Sequence, residues 1–82
     1  MANDYTDYMN EYTQAIFSRD KTVLIVEGKF RGDDSKIENN LLFEEGIIRN
    51  ISHYGTLIPE PVMFKRISIS SKDLVLLAIR RG

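Results

Sequence analysis

Positions 28–45 read GKFRGDDSKIENNLLFEE. The residues there that could do chemistry are two glycines, the acids Asp33, Asp34, Glu38, Glu44 and Glu45, and the paired amides Asn39 and Asn40. The acids invite comparison with a hard-cation loop, but such a loop needs acids at alternating positions, a central glycine, a closing glutamate and flanking helices. GDDSKIENN lies between apolar runs that read as strands and fails most of that pattern. A phosphate cradle would need Gly28 and Gly32 to open onto a helix N-terminus through Gly-Lys-Ser/Thr; here Asp33-Asp34 follows and would repel phosphate. Paired carboxylates for acid-base work are poorly served as well, because neighbours in an extended chain point to opposite faces. His53 is the single histidine and is expected in a loop or at the surface, and there is no cysteine. No histidine-cluster metal site, thiolate site or cysteine nucleophile can therefore be assembled within one chain. The sequence is expected to specify neither an enzyme nor a cofactor or metal site.

The elements that must position these residues follow from periodicity. Tyr5, Tyr8, Met9, Tyr12 and Ile16 stand at steps of three and four with Asn3 or Asp4 as N-cap, which predicts a short amphipathic helix over about residues 4–12. An aromatic stripe at that spacing is read as the face that packs on a sheet. Thr13 to Phe17 fits either the last helical turn or a first strand. After the turn SRDK, the run TVLIVEGKF reads as a strand with Gly28 at a bend or bulge. A polar corner from Arg31 to Asn40 follows, then NLLFEEGIIRNIS with Gly46 in its middle. HYGTLIPEP is a loop, since its prolines cannot donate to a central ladder. VMFKRISISS sets Met63, Lys65, Ile67 and Ile69 on one side and Phe64, Arg66 and Ser68 on the other, and DLVLLAIRR closes the chain as an apolar strand. Short bent strands in so short a chain predict one mainly β domain over 1–82, a small and strongly curved barrel of the OB or SH3-like kind.

Composition narrows the function classes. A chain of 82 residues holds one marginal domain, burying only roughly 60% of its unfolded surface, so assembly with a partner would help it. A net charge of −1 argues against coating nucleic acid with the whole surface, although positions 62–82 carry five basic residues against Asp73 alone. That basic end suits local RNA contacts or head-to-tail association. No charged, apolar leader opens the chain and no run approaches the ~20 apolar residues of a membrane span. An intracellular protein of the nucleus or cytoplasm, away from membranes, is expected.

Gly28-x-Phe30-x-Gly32-x-Asp34, a polar loop and then Asn40-Leu41-Leu42-Phe43-Glu44 resemble the first motif of the Sm and Sm-like RNA-binding proteins. Ile69-Ser70-Ser71-Lys72-Asp73-Leu74-Val75-Leu76-Leu77 looks like the second. The resemblance implies an N-terminal helix followed by a strongly bent, five-stranded antiparallel small barrel. It also implies a ring in which the fourth strand of one subunit pairs with the fifth of the next, covering apolar edges that would otherwise aggregate. Other Sm-like subunits and single-stranded, uridine-rich RNA are the implied partners, in RNA processing, splicing or decay. Asn40 or Asn39 would read the base, since an amide donates and accepts at once; Asp34 would order the corner and Lys72 would add charge. The loop is longer than the family pattern by about two residues, counted along the motif. No aromatic residue precedes the asparagines, and Ser70-Ser71 replaces the family's Arg-Gly. The competing readings are a protein-interaction module without RNA contacts, and an unrelated small barrel in which the first strand does not lie against the fifth.

Overall fold

The computed structural model describes residues 5–52 and 61–80, with the backbone alone at 50–52. The expected N-cap at Asn3 or Asp4, the loop over 53–60 and the placing of His53 lie outside the described residues. Five strands form one antiparallel sheet: β1 (Tyr12–Arg19), β2 (Thr22–Asp33), β3 (Asn40–Ser52), β4 (Val62–Ser70) and β5 (Leu74–Ile79), in the order β4-β3-β2-β1-β5. The first strand therefore does lie against the fifth, with Thr13 opposite Ile79 and Ile16 opposite Leu76.

Period-two burial builds the core. Thr13, Ala15 and Phe17 alternate inward along β1, Val26 and Phe30 along β2, and Leu41 and Phe43 along β3, all at most 2% exposed. Edge-to-face and tilted ring contacts run from Phe17 to Phe43 to Phe30 and on to Tyr5, with centroids 6.1, 5.3 and 5.4 Å apart. Each such pair adds about 0.5–1.5 kcal/mol beyond its area. The buried hydroxyl of Thr13 donates to the carbonyl of Gly28, the residue directly opposite it, at 3.2 Å. A polar side chain is thus tolerated at full burial.

Two expectations fail. The N-terminal helix is a single 3-10 turn at Thr6–Tyr8, followed by extended Met9 and by Asn10 at φ 64°. Its periodicity loses to strand pairing: the Asn10 N–H donates to the Phe30 carbonyl and the Phe30 N–H to the Glu11 carbonyl, continuing the β1–β2 ladder beyond Tyr12. Tyr5 and Tyr8 nonetheless pack on the core, as their stripe required, while Tyr12 stays 44% exposed in the sheet. Nor is the sheet closed into a barrel. Among the described residues β4 ladders only with β3 and β5 only with β1. A three-residue 3-10 turn, Ser71–Asp73, leads directly from one edge of the sheet to the other, and the outer edges of β4 and β5 have no ladder partner among the described residues.

The bend that brings the sheet round on its core sits where β2 and β3 cross. Glu45 takes φ 53° and the β2–β3 register slips between Glu27 and Lys29, a bulge on β3. A Cβ at Gly46 would lie 1.8 Å from the Glu27 carbonyl oxygen and 2.7 Å from the Gly28 Cα, so only glycine lets the two backbones approach. Phe64, opposite Gly46 on β4, fills the space above Gly28 and packs against the core. The alternation read from the sequence sets Phe64 on the side opposite Ile67 and Ile69, yet all three pack against the core. Gly46→Ala is expected to destabilise the fold by about 3 kcal/mol or more, since the backbone must move. Urea unfolding checks this as a lowered midpoint at unchanged slope.

Candidate nucleic-acid interface

The two loops singled out by the sequence meet in space. Residue 34 leaves β2, and its backbone N–H donates to the Asn40 carbonyl at 2.8 Å, closing a loop of residues 35–39 at its base. The Asp34 carboxylate fixes that loop from within. Oδ1 accepts from the Lys36 N–H at 2.8 Å, an Asx turn, and Oδ2 accepts from the Ser68 hydroxyl on β4 at 2.7 Å. Ser68 in turn accepts from the Asn40 side-chain amide at 3.0 Å. Asn40 on β3, Ser68 on β4 and Asp34 at the neck of the loop therefore form one directed relay. These bonds hold the Asp34 carboxyl below its usual range; the Ser68 hydroxyl is the largest cause and the Lys36 N–H the next.

Asn39 sits at the end of the loop at φ 65°, a left-handed conformation that asparagine tolerates better than most residues. Its carbonyl takes two bonds from the second loop, from the Ser71 N–H at 2.7 Å and the Ser71 hydroxyl at 2.9 Å. The Ser70 hydroxyl caps the 3-10 turn by accepting from the Lys72 N–H, and Arg19 pairs with Asp73 across the turn. Ser71 thus ties the second loop to the first.

Sequence alone left Asn39 and Asn40 as equal candidates, and the fold gives them different tasks. Asn40 opens β3 opposite Ser70, half-buried, with its amide orientation set by Ser68. One N–H and the carbonyl oxygen of that amide have no partner among the described residues. The side chains of Asn39 and Lys72 are exposed and have no hydrogen-bond or ion-pair partner among the described residues. Ile37, 50% exposed in the same loop, is its one large apolar group. The arrangement offers donors and acceptors for a base edge and one cation for a phosphate. Ser68 and Ser71 were missed by sequence reasoning. Ser68 is recognisable only once Leu42 is known to pair with it, which brings its hydroxyl to the face that Asn40 shares.

Among the described residues no group of three or more His, Cys, Asp or Glu side chains is placed to hold a metal ion. No helix among them is long and apolar enough to cross a membrane. No family model matches the chain, and no curated protein matches it.

The relay predicts a pH response. A carboxyl whose pKa is lower in the folded than in the unfolded state stabilises the fold above its unfolded value near about 4, and that stability is lost as pH falls through the folded value. Ser68→Ala removes the largest cause, so the Asp34 titration followed by carboxyl-carbon NMR should move up toward the ordinary range. The acid side of the stability profile should move with it; an unmoved Asp34 titration would contradict the assignment of Ser68 as the cause.

Proposed function

We propose that the chain is a subunit of a ring-shaped assembly of the Sm-like kind, without catalytic activity, that binds single-stranded, uridine-rich RNA at this corner. The observation that carries the reading is the meeting of the two motif loops, through the paired Ser71 bonds to the Asn39 carbonyl beside the Asn40–Ser68–Asp34 relay. A uracil edge offers an N–H between two carbonyl oxygens, and an amide held in one orientation can answer both kinds of group. Lys72 adds a contact to the phosphate.

The edges support the assembly. β4 exposes Val62 (62%) and Met63 (83%), and β5 exposes Val75 (66%) and Leu76 (46%), at the two unpaired ends of one sheet. Exposed apolar edge strands are aggregation hazards unless something pairs with them. Pairing β4 of one subunit with β5 of the next covers both through a head-to-tail contact, which makes a ring when its rotation closes. RNA processing, splicing or decay in the nucleus or cytoplasm is the setting that such a subunit serves.

Two measurements test the reading. Light scattering should find the chain, alone or with Sm-like partner subunits, at several times its 9.5 kDa, and Met63→Lys or Leu76→Lys should lower that mass. Fluorescence anisotropy with labelled oligouridylate on the assembled form should show a loss of about tenfold for Asn40→Ala combined with Asn39→Gly, roughly one base-edge contact. Glycine at 39 keeps the left-handed backbone, so the loss reports the side chains. No loss of affinity would sink the claim that this corner reads RNA. The alternative, a protein-interaction module without RNA contacts, is favoured by one observation: Ser71 is engaged on the Asn39 carbonyl, where the family has a glycine beside a base-stacking arginine. An assembly whose RNA affinity is the same with and without this subunit would decide for it.

A further inference from the structure

On the outer face of β2, β3 and β4, one carboxylate holds two guanidiniums. Glu44 stands directly opposite Lys29 on β2 and Arg66 on β4, so the three side chains form a row across the sheet, and Arg31 lies two residues along β2 from Lys29 on the same face. Arg66 donates to Glu44 Oε2 through its Nε at 3.2 Å and a terminal nitrogen at 3.0 Å, while the Arg31 Nε lies 3.6 Å from Oε1. Each carboxylate oxygen is thus assigned to one arginine. Glu44 is 23% exposed, whereas the Arg31 and Arg66 side chains are 41% and 67% exposed, so the acid lies beneath and the guanidiniums above it. Their remaining N–H groups have no partner among the described residues.

Three cations on this row answer to one acid. Arg66 and its neighbours Glu44, Glu45 and Lys65 line an open hollow of about 470 Å³. Guanidiniums held in place with free N–H forks are suited to the paired oxygens of a phosphodiester. Direction distinguishes this patch from a cross-strand ion network alone. Arg66, Ser68 and Ser70 alternate along one face of β4, and Lys72 follows in the next turn. From Ser70 to Arg66 is about 13 Å of strand, so a nucleic-acid strand leaving the corner along β4 passes Ser68 with its bonded Asp34 carboxylate and then meets Arg66 and Arg31.

We propose that Arg31 and Arg66, set in place by Glu44, form a second contact site, for the phosphate backbone of the same single-stranded RNA; this rests on the RNA reading of the corner. The site reads no base and acts only on strands long enough to reach past the corner.

The test is anisotropy on the full chain in its assembled form, with oligouridylates of about 4 and about 12 nucleotides, within the site sizes of single-strand grooves. Arg31→Gln combined with Arg66→Gln should weaken the long oligomer about fivefold near 0.1 M salt and leave the short one unchanged. It should also lower the magnitude of the salt slope for the long one by roughly 1.4, at about 0.7 per phosphate. Because the double substitution leaves Glu44 unpaired, Glu44→Gln is the companion variant. It removes the competing charge while its amide oxygen can still orient a guanidinium, and it should strengthen the long oligomer about twofold, with circular dichroism melting to confirm that both variants fold. Arginine variants that bind both oligomers like wild type, while Lys72→Gln weakens both, overturn this site and leave the corner standing. Wild-type protein that binds neither oligomer overturns both. Oligoglutamate that displaces the long oligomer as well as unlabelled RNA of equal charge overturns the assignment to nucleic acid.

Discussion

The approach of Gly46 to the Glu27 carbonyl is the contact on which the rest of the molecule depends. A flat five-stranded sheet of this length would offer one apolar face with nothing to cover it. With no side chain at Gly46 and an extra residue at Glu45, β3 can bend across β2, so that Phe43 on β3 meets both Phe17 on β1 and Phe30 on β2. The same bend gives Phe64 a place above Gly28, which anchors the exposed strand β4 to the core. Anchoring β4 in turn fixes Ser68 and Arg66, the residues through which both polar sites on the outer face are organised.

The strands were legible because β-branched and apolar residues run together in TVLIVEGKF and NLLFEEGII and recur in VMFKRISIS, and because glycine inside the first two runs marks a bend or bulge. The opening segment misled because Tyr5, Tyr8 and Tyr12 satisfy a helical period, and periodicity cannot register that β2 extends past Tyr12's partner and draws the backbone of Asn10 and Glu11 into pairing. Barrel closure was also beyond reach. It depends on whether two edges come within hydrogen-bonding distance, and no local pattern carries that information.

The corner was half legible. The sequence placed Asp34 at the corner beyond the glycines, and the fold bonds its carboxylate to the Lys36 N–H and the Ser68 hydroxyl. What separates Asn39 from Asn40 is cross-strand register: Asn40 opens a ladder, and Asn39 turns left-handed just before it. The Arg31–Glu44–Arg66 row was invisible for the same reason, since its members are 13 and 22 residues apart and become neighbours only through two pairings.

The backbone bond from Asp34 to Asn40 seals the loop at its neck, so residues 35–39 hang from a ladder whose register they do not set. Lengthening such a loop costs only about 0.6 kcal/mol per doubling, and none of its side chains lies in the buried core. Among the described residues this loop is therefore a segment whose length and chemistry can drift while the scaffold stays as it is. Two proteins built on this frame could share every strand and differ in what they hold there.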